Sequence, residues 1–249
     1  MTGGRRQDGE GAGPSPGARR ALTAFLLVLS VAFLALGTWQ VQRLFWKLDL
    51  IERVESRIHA APAATPVRAE WPAITREKDE YRRVTAIGLF RHDKTALVQA
   101  VTERGAGFWV LTPLVLADGS TVLVNRGFVP SGRSSPEARL ASEIAAGPVA
   151  VGGLLRMSEP GGAFLRANDP VNDRWFSRDV AAIAAARGLE DVAPYFIDAD
   201  AAPNPGGLPV GGMTVVAFRN SHLVYALTWY ALAAMSMVAA WRVHHRRLV

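Results

Sequence analysis

Two stretches without a charged residue, one near each end of the chain, constrain this protein more than any other feature of its sequence. They run from Ala21 to Val41 and from Leu223 to Trp241, about 21 and about 19 residues. A helix rises about 1.5 Å per residue, so each is long enough to cross a hydrocarbon layer of roughly 30 Å. Inside such a layer the backbone has no water to bond, and a helix satisfies its own N–H and C=O groups. No other window in the 249 residues qualifies. An apolar share of 49% and a mean hydropathy of +0.12 exceed what a soluble domain of this size needs.

The formal net charge of +6 and a pI near 10.3 raise the question of nucleic acid. The cations, however, cluster at the ends of the apolar windows: Arg5, Arg6, Arg19 and Arg20 before the first, Arg242, His244, His245, Arg246 and Arg247 after the second. By the positive-inside rule both tails stay in the cytoplasm and the long central segment lies across the membrane. The basicity is a topology signal, so the expected partner is membrane lipid and not nucleic acid. With no cysteine, disulfides, c-type haem attachment and thiolate metal sites are excluded. The first window continues to Gly37-Thr38-Trp39-Gln40 with no small-x-small cleavage site, which reads as a retained anchor and not a cleaved signal peptide.

These signals divide the chain into a disordered cytoplasmic tail (1–20), a first transmembrane helix (21–41), an amphipathic helix with a mainly-β periplasmic domain (42–222), a second transmembrane helix (223–241) and a basic cytoplasmic tail (242–249). Leu44, Leu48, Ile51 and Ile58 recur at helical spacing among charged residues, so the first helix is expected to continue beyond the membrane until Pro62 and Pro66 end it. Strands are expected at 83–90, 95–101, 108–116, 121–124, 149–157, 195–197 and 213–218, with Asp118-Gly119 as a hairpin turn. Two short helices are expected, 136–146 capped by Ser135 and 178–187 between caps Ser177 and Gly188. The fold class is thus two transmembrane α-helices flanking one mainly-β (α+β) extracytoplasmic domain.

The signatures of zinc proteases, serine hydrolases and nucleotide enzymes are missing. Among the five histidines, His244 and His245 belong to the basic tail, while His59 and His92 read as solvated residues. His222 differs, because helical spacing aligns it with Tyr225 and Trp229. On that helix alone, an interfacial aromatic belt explains the set. The end of the first helix lies at the same depth, however, and brings Trp39, Gln40, Arg43, Trp46 and Lys47. With Arg219, these residues read equally as a shell for a haem, with imidazole on iron and arginines near the propionates, and as an anchor girdle with snorkelling arginines. Arg126 reads either as buried and paired for structure or as exposed for a partner, with structure preferred because Gly127 suggests a tight backbone turn. Asn172, Trp175 and Asp179 are expected to fix the corner leading into the second short helix.

The segments GTWQVQRLFWK, EYRRVTAIGLF, VLVNRGFVP, NDRWFSRDV and RNSHLVYALTWY, in that order from Gly37 to Trp241, resemble the surfeit-locus (Surf/Shy) family of cytochrome oxidase assembly factors. The sequence departs from the family pattern at Ser221, where asparagine is common, and Phe128, where tryptophan is common. The resemblance implies a non-enzymatic role in maturing haem-copper oxidases, haem a as cofactor, and His222 as the iron ligand. Gln40, Arg43, Trp39, Arg219, Tyr225 and Trp229 are its expected companions. The expected partners are the oxidase large subunit and the haem a synthase, in a bacterial inner membrane. The rival reading is a haem-free scaffold for an oxidase assembly intermediate; a two-span sensor is disfavoured because only eight residues follow Trp241.

Overall fold

The structure, a computed structural model, describes residues 15–143, 147–163, 166–216, 218 and 220–245. The expected tails, with Arg246 and Arg247, and the expected site residue Arg219 therefore lie partly or wholly outside the described residues. Contacts divide the chain into a helical unit, Met1–Ile51 with Phe218–Val249, and a β unit, Glu52–Ala217.

Helix α1 runs unbroken over Pro16–His59, about 66 Å at the α-helical rise. That is roughly twice a hydrocarbon thickness, so the helix continues beyond the apolar window, as expected from the sequence; Leu48, expected on its apolar face, is exposed. After it come β1 (Ala63–Ala64), a 3-10 turn, α2 (Arg76–Asp79), β2 (Arg83–Phe90), β3 (Ala96–Thr102), β4 (Gly105–Leu116) and β5 (Thr121–Pro130). Then follow α3 (Pro136–Arg139), β6 (Val149–Met157), β7 (Gly162–Ala163), β8 (Arg166–Ala167), α4 (Val180–Arg187), β9 (Val192–Ala199) and α5 (His222–His245).

α1 and α5 are long and apolar enough to cross a membrane, and only 11% and 17% of their most apolar windows are buried by protein. Phe25, Val28, Val31, Val224 and Leu227 all face outward, so the covering medium must itself be apolar. Two outward-facing hydroxyls bond the preceding turn of their own helix, Thr38 Oγ1 donating to Leu34 O and Thr228 Oγ1 to Val224 O, both at 2.9 Å, which satisfies them without water.

In the β unit, β2, β6, β9, β5 and β4 pair in that order, and β2 pairs again with β4 to close a five-stranded barrel. β3 extends from β4 and β1 from β2. The β5–β9 ladder is parallel; the others in the ring are antiparallel. Closure depends on Gly88, opposite Leu116. A Cβ there would run into the Val115 carbonyl, so only glycine lets the seam approach. Alternate residues fill the lumen: Val84 and Ala86, Leu114, Val122 and Val124, Leu155, Tyr195 and Ile197. The opposite faces of β4, β5 and β9 send Leu111, Leu123 and Phe196 into a second core, where Ile183 of α4 and Trp175 pack.

Strands at 83–90 and 149–157 have the expected bounds. β5 and β9 are longer than expected, because Asn125, Arg126 and Asp198 look like strand ends but are buried at 4–5% exposure and bonded. The strand expected at 213–218 does not form a ladder among its described residues. α3 ends at Arg139 and continues as a 3-10 turn over Leu140–Ser142; residues 144–146 of the expected helix lie outside the described residues. α4 starts two residues later than expected, because Asp179 caps it, accepting from Ala182 N at 3.1 Å, while Ser177 Oγ donates to Glu159 O at 2.7 Å. Gly188 ends it in the left-handed conformation, as expected.

Candidate cofactor-binding site

The helical unit is an antiparallel pair, and its contacts form a ladder. At one end Arg19 donates to the carbonyls of Val243 and His244 at 3.1 and 3.4 Å, a cation on the negative end of the α5 dipole. Ser30 Oγ then donates to Ala233 O at 3.1 Å, the Phe33 and Trp229 rings stack at 5.6 Å, and Gly37 faces the Tyr230 ring. A Cβ on Gly37 would lie 2.7 Å from that ring, so glycine lets the helices close here, as small residues do at membrane helix crossings. Ala226, Ala233, Ser236 and Ala240 complete the buried stripe of α5.

One turn beyond Gly37 the ladder becomes polar. His222 is the first residue of α5, and its N–H donates to Asn220 Oδ1 at 3.4 Å, serving one of the open donors of a helix start. Its Nδ1 lies 2.8 Å from Oε1 of Gln40 on α1. Further along α1, Arg43 lies over the Trp46 ring at 4.4 Å and Lys47 Nζ over the Phe218 ring at 4.8 Å. The structure therefore brings His222 and Gln40 together and leaves Trp39 and Tyr225 outward, at 52% and 53% exposure. Trp229 packs deeper, on Phe33. Tyr225 does not share the buried face with His222 as its spacing suggested, because that stripe passes through Ala226, at 2% exposure. Sequence reasoning did not single out Gly37, Tyr230 or Phe218; a glycine amid large apolar residues was the available signal for the first.

The β unit holds a second polar assembly. Asp198 accepts from Asn125 Nδ2 and Arg156 Nη1 at 2.7 Å, Arg178 Nη1 at 3.1 Å and Thr214 Oγ1 at 3.0 Å. Glu80 and Glu159 take the other faces of the two guanidiniums. The carboxylates hold Arg156 above the usual arginine range against the opposing effect of burial. This network floors a groove of about 880 Å3 walled by Trp109, Met213 and Val215. The sequence hint was a charged residue inside an apolar run, Arg156 in β6 and Asp198 in β9.

Arg126, read as structural, is 5% exposed, donates to Asn204 Oδ1 at 3.2 Å, lies 3.4 Å from His92 Nδ1 and packs over the Phe90 ring. Burial pushes its pKa down to about 10, and His92 is lowered too, first by burial and then by Arg126. His92 is thus half-buried in a side-chain cluster, not a solvated turn residue. Gly127 is needed for close approach of the chain at Val210, where a Cβ would strike the carbonyl, and is not part of a turn.

The SURF1 family model matches residues 27–234, which takes in both helix mouths and the whole barrel. The chain belongs to the SURF1 family. The family is known for cytochrome c oxidase assembly factors, generally non-enzymatic. Human Surfeit locus protein 1 is 39% identical over 228 residues, covering 84% of this chain and 73% of the relative. The Xenopus tropicalis protein of the same name is 38% identical over 226 residues, 84% and 71% of the two chains. A SURF1-like protein of Monosiga brevicollis is 38% identical over 229 residues, 87% and 84%. The SURF1 match extends over Trp39, Gln40, Arg43, His222, Tyr225 and Trp229, the described residues expected to form the site.

Proposed function

We propose that this chain binds haem a at the paired helix mouths and supports its insertion into the large subunit of a haem-copper terminal oxidase. The observation that carries the reading is the 2.8 Å contact of His222 Nδ1 with Gln40 Oε1. An amide oxygen only accepts, so Nδ1 carries the proton and Nε2 of the neutral ring keeps its lone pair. That is the form an iron ligand needs, its second nitrogen held by a protein acceptor. Arg43 and Lys47, one and two turns beyond Gln40, are the cations for propionates, and Trp39 and Tyr225 offer flat apolar surface. Arg219 joins this set by its place in the sequence. Haem, when bound, would supply an iron able to accept an imidazole; the chain's part would be to orient His222, balance the propionates with Arg43 and Lys47, and shield the ring edge with Trp39 and Tyr225.

The antiparallel pairing puts Arg19 beside Val243, so the basic ends of both helices lie on one side and the His222–Gln40 pair toward the other. Taking the basic side as cytoplasmic by the positive-inside rule, we propose the haem site at the periplasmic face of a bacterial inner membrane, with the haem a synthase and the nascent oxidase large subunit as its partners.

Purification from cells that make haem a, followed by pyridine haemochrome analysis, tests the reading. Wild type is expected to carry haem a and His222→Ala to lose it; equal haem in both removes the ligand assignment. Lost haem with undiminished oxidase assembly favours the haem-free scaffold instead.

A further inference from the structure

β3 is one of the two edges of the sheet. Part of that edge is covered: Val98 forms a parallel bridge with Trp175, and Gln99 N–H donates to Trp175 O at 2.8 Å. Gln99 N–H therefore points away from β4, and by the two-residue period of a strand so do the N–H and C=O of Val101. The β3–β4 register runs without a break from Ala96 to Thr102, so this parity holds to the end of the strand. Among the described residues nothing bonds these two Val101 groups, and the Val101 side chain is 88% exposed. Edge strands are ordinarily blunted by charge, proline, a bulge, a cover or short length. The opposite edge, β1, is only two residues long, whereas β3 leaves an apolar position bare.

This open edge borders the groove of about 880 Å3, whose lining includes Val101 and Trp109 together with Met213 and Val215. Val215 is 78% exposed, and residues 213–216 form no backbone hydrogen bond among the described residues. Two stretches of unpaired main chain and four apolar side chains thus meet at one hollow. The floor sets the charge of an occupant. Arg156, Arg178 and Asp198 bond one another and, through the two guanidiniums, Glu80 and Glu159, so the floor has no charge to spare for an ion. What complements the groove is uncharged along its middle, exchanges main-chain hydrogen bonds and carries apolar groups on one side. An extended polypeptide meets all three demands: bonds to a sheet edge supply affinity, and alternate side chains fill the adjoining hollow.

We propose that the β3 edge and its groove bind an extended, uncharged segment of another protein, added as a strand beside Val101 with its apolar side chains against Trp109, Met213 and Val215. This site belongs to the β unit and is independent of haem binding by the helical unit.

The test uses the full chain in zwitterionic lipid nanodiscs, with empty nanodiscs as background, and fluorescence anisotropy of two labelled peptides. One alternates threonine and valine between terminal lysines; the other has the same sequence with its central amides methylated. Saturable binding of the first is expected, with the methylated peptide at least about tenfold weaker, since losing two or three main-chain hydrogen bonds suffices for that ratio. Val101→Pro removes the open donor and spares the β4 ladder, which does not use it, so the fold is expected to survive and the first peptide to bind at least about tenfold more weakly. Hydrogen exchange at the Val101 amide of wild type, followed by NMR, decides the matter if Val101→Pro fails to fold: bound peptide is expected to slow it at least about tenfold. Absence of saturable binding by wild type, equal affinity for the two peptides, folded Val101→Pro binding like wild type, or exchange unchanged by the peptide overturns the proposal.

Discussion

Replacing Asp198 with asparagine keeps the shape of the side chain and removes its charge, which isolates what the carboxylate does. In the folded protein Asp198 is 4% exposed and takes hydrogen bonds from Asn125, Arg156, Arg178 and Thr214, all between 2.7 and 3.3 Å. Asparagine offers one oxygen in place of two and turns an amide NH2 toward donors. The Nη1 atoms of Arg156 and Arg178 then face no anion, because Glu80 and Glu159 are committed to their Nε and Nη2 sides. Both arginine side chains are only 14% exposed, so water replaces little of the loss. Breaking a buried ion network on one side costs about 3–5 kcal/mol, or roughly 6–20 °C of melting temperature for a unit of this size. The assay is urea and thermal unfolding of the full chain in nanodiscs, followed by tryptophan fluorescence, since Trp175 and Trp109 report on the adjoining core. Arg178→Met in the same chain should recover part of the loss, giving a coupling energy of at least about 1 kcal/mol between the two positions. A loss below about 1 kcal/mol for Asp198→Asn, or strict additivity in the double variant, would mean that the Asp198 charge does not hold the two arginines in place.

Gly37→Leu places a side chain where the Tyr230 ring sits and should part the helices. The chain has no cysteine, so cysteines introduced at Ser30 and Ala233 should be joined by a short crosslinker in the parent and much less in the Gly37→Leu background. The fully buried Trp175 fills the second core, and Trp175→Ala should cost about 3–5 kcal/mol in the same unfolding assay. His92 gives a pH dependence of known sign. Its folded pKa lies below the ordinary 6.5, so the unfolded chain takes up the proton first, and stability is full above that value and falls as pH drops below it. His92→Gln should flatten this part of the stability profile, and a parent protein more stable at pH 5.5 than at 7.5 from this residue would contradict the shift.

Elements whose signal is carried by consecutive residues were legible. The two apolar helices, the continuation of α1 to His59, the strands 83–90 and 149–157 and the Asp118-Gly119 turn, with Gly119 at φ +81°, all follow from local periodicity or turn chemistry. The missed stretches share one cause. Asn125, Arg126 and Asp198 interrupt apolar runs, and polar residues end a strand unless partners far along the chain satisfy them; those partners, Arg156, Arg178, His92 and Asn204, are 20 to 78 residues away. The segment 213–218 has strand-like composition, yet its Thr214 bonds the Asp198 carboxylate instead of a ladder.

The candidate site divides the same way. That a histidine opens the second apolar helix, and that a glutamine and two cations close the first, is legible in the residue order alone, because composition fixes where a helix must leave the hydrocarbon. That His222 meets Gln40, and not Arg43 or Tyr225, comes from packing. That choice depends on the rotation of one helix against the other, which is set by where Gly37, Ser30 and Ala233 let the backbones approach. Barrel closure is decided likewise, by the pairing of Gly88 with Leu116, a contact between strands whose residues carry no local mark of each other.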